Sequence, residues 1–297
     1  MKKISILLSA GLLLGLLSGC APREDARIAA TTLPVYEFTS RICEGTGLEV
    51  ARLVTESVSC LHDYTLQVSQ MRILEGAQVT VQNGAGLEEF LEDALESADI
   101  VIDASEGIEV LCPEEEHDHD HDHDHIEHDH HHEQDGHIWL SPANAMVMAQ
   151  NICNGLSAHF PAHRDAFEKN LTGLLADLEQ LQSYGEAQLA QLKCRELITF
   201  HDGFAYFAEA FDLTILRAVE EESGSEASAA ELIELIGMVD EHGLPAIFTE
   251  TNGADAAAKT IAVETGCAIF TLDMAMAGDS YFEAMYHNID TIKEALG

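Results

Sequence analysis

Short apolar runs of strand length alternate with helical patterns along this chain, and the alternation breaks once, at a long stretch with no strand signal. The runs Ile28 to Leu33, Glu49 to Val54, Gln78 to Val81 and Asp99 to Ile102 are spaced by helix candidates such as Leu66 to Glu75 and Leu87 to Ala98. Ser141-Pro142 then supplies a cap and a first-position proline for a helix running to about Ser157. From Pro161 to Leu192 the strands stop, and Phe167, Leu171, Leu174, Leu178, Leu181, Leu189 and Leu192 line one face of a single long helix. At 1.5 Å per residue it would be about 45 Å long, a stiff connector. The rhythm resumes with strand candidates Glu196 to Phe200, Leu213 to Val219, Ala246 to Thr249 and Ala268 to Leu272. Helix candidates there are Gly203 to Phe211, Ser228 to His242, Ala254 to Thr265 and Ser280 to Leu296. Such alternation builds mainly parallel sheets covered by helices. The expected fold is α/β: two β/α lobes joined by one rigid helix, with lobes at 27–158 and 194–297 and the linker at 159–193.

Between Glu114 and Asp135 no apolar period exists to bury, because His alternates with Asp and Glu. This loop, 114–135 within the first lobe, carries His117, His119, His121, His123, His125, His128, His130, His131 and His132. Imidazoles and carboxylates are donors that borderline divalent ions such as zinc favour, so the tract is read as a weak, auxiliary metal site. The chain has 14 Lys and Arg against 53 Asp and Glu, a net charge of −39. That balance argues against nucleic acid and anionic surfaces as partners and suits attraction of cations.

The N-terminus has a basic start, an apolar run from Ile4 to Leu17 and then Leu17-Ser18-Gly19-Cys20, an export signal too short for a membrane span. LSGC resembles the bacterial lipobox, so residues 1–19 are expected to be removed, Cys20 to carry lipid and 20–26 to form a tether. The six other cysteines show no CxxC spacing, which weakens a thiolate metal site. Cys194 and Cys267, each at the start of a strand candidate, are the expected disulfide.

Ligands of open parallel sheets bind beyond the carboxyl ends of the strands. Four metal donors stand at such places or open a helix beside them: His62, His137, His201 and Asp273. Two come from each lobe, and three imidazoles with one carboxylate suit tetrahedral zinc. Glu250, at another strand end, is the alternative to Asp273. Zinc release would follow imidazole protonation, so affinity is expected to fall below about pH 6.5. A hydrolase using the same donors would want an HExxH helix or a placed general base, and neither is present. A surface metal store would need only the tract.

The segments LHDYTLQVSQMRIL, DGHIWLSPANAMVMAQNI, ITFHDGFAYFAEAFDL and LDMAMAGDSYFEAMYHNIDTIKEAL, with the lipobox and the His-rich insertion, span the mature chain. Together they resemble the substrate-binding lipoproteins of bacterial zinc and manganese ABC importers, a periplasmic-type cluster with two lobes on one backbone helix. Two local departures are Leu61, where the family usually has Pro, and Ser69-Gln70, where an Asp is common. The resemblance implies a monomeric, non-enzymatic receptor, lipid-anchored on the outer face of the cytoplasmic membrane. It would capture Zn2+ and deliver it to an ABC permease and its ATPase. His201 at the third ligand position goes with zinc members, whereas manganese members typically carry Glu; Mn2+ or Fe2+ is the alternative cargo.

Overall fold

The computed structural model describes residues 28–55, 61, 64–95, 98–111, 134–219, 227–251, 253, 255–276 and 278–297. The first lobe runs β1 (Ile28–Ala30), α1 (Leu33–Ile42), β2 (Val50–Arg52), α2 (Val68–Gly76), β3 (Val79–Gln82), α3 (Glu92–Leu95), β4 (Val101–Asp103) and α4 (Pro142–His159). The long helix is α5 (Arg164–Leu189). The second lobe runs β5 (Glu196–Thr199), α6 (Ala205–Ala210), β6 (Thr214–Ala218), α7 (Ala229–His242), β7 (Ala246–Glu250), α8 (Ala256–Thr265), β8 (Ala268–Leu272) and α9 (Tyr281–Leu296).

Each lobe has a four-stranded sheet, ordered β2-β1-β3-β4 and β6-β5-β7-β8, and every described strand pair is parallel. The same order twice means that each sheet reverses direction of growth between its two central strands, β1 and β3 or β5 and β7. Ligand crevices open at such points. The central strands are buried on both faces, as Ile28, Ala29, Ala30, Val81 and Ile247 show, which is why they read as continuous apolar runs.

Three sequence expectations are corrected. The first strand ends at Ala30, not Leu33, because Leu33-Pro34 opens α1, where a proline's fixed φ favours a helix start. The long helix is α5, 26 residues or about 39 Å, shorter than the 161–192 stretch read from the sequence, and one 3-10 turn at Pro161–His163 precedes it. Cys194 and Cys267 are free thiols. They precede β5 and β8, and β7 lies between those strands. Two strand spacings make about 9 to 10 Å, beyond the roughly 7 Å at which Cα atoms can be bridged.

The linker is also no bare rod. Leu171, Leu174, Leu178 and Leu181 bury its inner face in a core that includes α1, α4 and α9, so the last helix crosses back along the first lobe. Among the described residues, no helix is long and apolar enough to cross a membrane.

Candidate metal centre

His201 follows β5 by two residues and Glu250 ends β7, so both stand at the switch point of the second sheet. His137 comes from the first lobe, immediately before the 3-10 turn Ile138–Leu140, whose three side chains are fully buried and fix its position. The two imidazoles meet: His137 Nε2 lies 3.5 Å from His201 Nε2, with the rings at 88°. Asp135 Oδ1 sits 2.8 Å from His137 Nδ1 and also accepts the His137 backbone N–H at 2.9 Å. The proton of that ring therefore belongs on Nδ1, and the Nε2 lone pair faces His201. Glu250 Oε2 lies 3.7 Å from His201 Nδ1, so a carboxylate backs each ring on the side away from the other.

The spacing of the two ring nitrogens suits a shared zinc ion. Two nitrogens each about 2.0 to 2.1 Å from one tetrahedral zinc are about 3.3 to 3.4 Å apart, close to the separation seen. Both carboxylates are buried or nearly so, and second-partner carboxylates of this kind orient metal-ligating imidazoles. Burial, the Asp135 charge and, in the opposite sense, His137 act on Asp202, and the net effect pushes its carboxyl above the ordinary range. It also lines a cavity of about 280 Å³ with Glu231, Glu234 and Arg217.

Several residues that sequence reasoning passed over hold this geometry. A Cβ on Gly203 would lie 2.9 Å from His201 Cδ2 and 3.1 Å from His137 Cε1, so the rings meet only because residue 203 has no side chain. Asn83 Nδ2 donates to Gly136 O at 3.0 Å, and the Tyr206 hydroxyl donates to Asp135 O at 2.8 Å while accepting from Leu111 N. Trp139 Nε1 donates to Met274 O at 2.8 Å, tying the first lobe to the turn after β8. Only Asp135 had a signal in the sequence, since it stands two residues before a candidate ligand.

Asp273 follows β8 directly, and buried Asn288 clasps its backbone through two 2.7 Å hydrogen bonds. Its Oδ1 accepts from Ala275 N at 2.7 Å. Thus His137, His201 and Glu250 are brought together, and Asp273 stands at the neighbouring strand end. His62, the tract histidines His117 to His132 and Cys20 lie outside the described residues. Among the described residues, no three His, Cys, Asp or Glu side chains form a group that could hold a metal ion. Gln70, at the second local departure, is buried and donates to Leu53 O and the Tyr64 hydroxyl, bracketing the segment that contains His62.

Residues 28–295 match the model of the family described as zinc-uptake complex component A, periplasmic. The chain belongs to this family. Its members are solute-binding components of ABC transporters, so the chain is a binding component and not an enzyme. It is 29% identical over 286 residues to the high-affinity zinc uptake system protein ZnuA of Bacillus subtilis, covering 92% of this chain and 88% of that one. It is 30% identical over 311 residues to the zinc-binding lipoprotein AdcA of Streptococcus pneumoniae, covering 99% of this chain but only 61% of the relative. A crystal structure of ZnuA superposes with a TM-score of 0.77 at 29% identity, covering 92% of this chain and 100% of that one. The two-lobe ZnuA-like fold is therefore that of this chain.

Proposed function

We propose that this ZnuA-family chain is an extracytoplasmic zinc receptor that captures one Zn2+ between its lobes and delivers it to an ABC permease driven by an ATPase. The observation that carries the reading is the pair of Nε2 atoms 3.5 Å apart, each ring backed by a carboxylate, one from each lobe. His62, His137 and His201 supply the imidazoles and Asp273 the fourth donor, with Glu250 orienting His201 or taking the fourth place. A closed set of four protein ligands leaves no open position for chemistry. Zinc is preferred over Mn2+ or Fe2+ by the nitrogen-rich set and by the general affinity order of divalent ions. The histidines from His117 to His132 form a weaker, multi-ion antenna. Cys20 carries the lipid that holds the monomeric receptor on the outer face of the cytoplasmic membrane. Lobes at 27–158 and 194–297 close on the ion about the 159–193 linker.

The test is zinc titration of the purified chain by native mass spectrometry against a competing chelator. The variant with His62, His137 and His201 changed to Ala is titrated beside it. One tight ion lost in the variant, with weak ions retained, is the expected result; weak ions alone in both would overturn the receptor and leave a metal store.

A further inference from the structure

The turn after Asp273 has an unusual backbone. Ala275 has φ 55°, in the left-handed region that an L residue with a Cβ rarely enters, and it is fully buried. Such a conformation persists only where its surroundings over-determine it. The carbonyls on both sides of Ala275 are held from the opposite lobe. Trp139 Nε1 donates to Met274 O at 2.8 Å, and Arg52 Nη2 donates to Met276 O at 3.1 Å. Arg52 Nη1 reaches Gly278 O at 2.8 Å, and its Nε is anchored to its own lobe at Val54 O, 2.5 Å away. Inside this clamped turn the Ala275 N–H is donated to Asp273 Oδ1, so the same conformation aims the carboxylate.

We propose that Arg52 is a positioning residue for the metal centre. From the first lobe its guanidinium fork holds the left-handed turn of the second, and with it the Asp273 carboxylate, in the ligating orientation. Separation of the lobes withdraws the Arg52 and Trp139 donors together, the turn relaxes and Asp273 swings away. Opening of the cleft and loss of a ligand are then one event, which gives a tight receptor a route to release. A lysine cannot replace the fork, because a single ammonium on a flexible stem does not present fixed donors to Met276 O, Gly278 O and Val54 O together. This inference rests on the reading of Asp273 as a ligand.

The test measures zinc dissociation into excess chelator and the hydrogen exchange of the Ala275 amide, whose partner is Asp273 itself. The full chain is compared with Arg52→Met, Arg52→Lys and Arg52→Met combined with Ala275→Gly. Dissociation is expected to be about tenfold faster in Arg52→Met, the low end of the loss seen when outer support of a metal ligand is removed. Arg52→Lys should fall between, and Ala275 amide protection should drop in step. Glycine at 275 adopts the left-handed turn without steric cost, so it should recover part of the slow dissociation. If Arg52→Met does not fold, Arg52→Lys carries the comparison. An unchanged rate, unchanged protection at Ala275 or no recovery with glycine would each overturn the proposal, whatever happens to thermal stability. A parent chain that binds no tight zinc would instead overturn the receptor reading.

Discussion

Glu88 occupies in the first sheet the switch point that His201 and Glu250 occupy in the second. Its carboxylate accepts from Thr31 Oγ1 after β1 and from the Asn83 and Gly84 amides after β3. Burial pushes its pKa up to about 7 from an ordinary 4.5, against the lowering effect of those hydrogen bonds. The raised value means that the folded state favours the protonated form. Its stabilising contribution is complete below about pH 4.5 and is lost as pH rises through about 7, an effect of order 3 kcal/mol at about 1.4 kcal/mol per unit. Urea unfolding at a series of pH values should show Glu88→Gln flattening this part of the profile; an unaltered slope would mean that Glu88 is solvated. At this scale the sequence displayed the donors His137, His201, Asp273 and Glu250, because ligand-type residues at strand ends are conspicuous. It did not display Gly203 or Arg52. The value of Gly203 lies in its distance from two rings, and that of Arg52 in carbonyls more than two hundred residues away.

Helix α5 meets the second lobe at Gly185, where a Cβ would lie 2.2 Å from Phe211 Cε1 and 2.6 Å from Cζ. Phe211 is itself buried and stacked edge-on against Phe207, with centroids 4.8 Å apart, so it has little room to retreat. Gly185→Ala gains about 1 kcal/mol of helix propensity but incurs overpacking of about 1 to 3 kcal/mol. The net result should be a lower melting temperature, read by circular dichroism, with an increase counting against the close approach. The eight strands among the described residues were legible from their apolar runs to within a few residues, because a short apolar run between helical patterns is a local signature. The return of α9 along α5 and α1 was not legible, since an amphipathic helix shows that it has a buried face without saying against what. There the N-terminus of α9 is capped from α1: Glu37 Oε2 accepts the Tyr281 N–H at 2.6 Å.

The whole molecule carries a charge of −39, and the candidate metal site lies beside a cavity bordered by Asp202, Glu231 and Glu234 with one cation, Arg217. Such a field raises the encounter rate of a divalent cation, and salt screens it over about 10 Å at 0.1 M. Zinc association measured by stopped flow should therefore slow several-fold between roughly 10 mM and 500 mM monovalent salt, through the long-range field. A salt-independent rate would show that the negative surface does no steering. The two lobes are joined by directional links, Arg52, Trp139 and Glu37 from the first lobe and Tyr206 and Tyr281 from the second, and by an apolar core that both share, in which Phe38 and Trp139 lie with Met274, Met276 and Tyr281.

The sequence alone determined the α/β class, the doubled strand rhythm, the long central helix and the set of candidate donors, because periodicity and residue chemistry act over a few neighbouring positions. Only the tertiary structure decided which donors meet, that Asp135 and Glu250 back the two imidazoles, that the strand between β5 and β8 keeps Cys194 from Cys267, and that Arg52 clamps the Asp273 turn. Those are contacts between residues far apart along the chain, set by strand order and lobe packing, and no local pattern of amino acids encodes them.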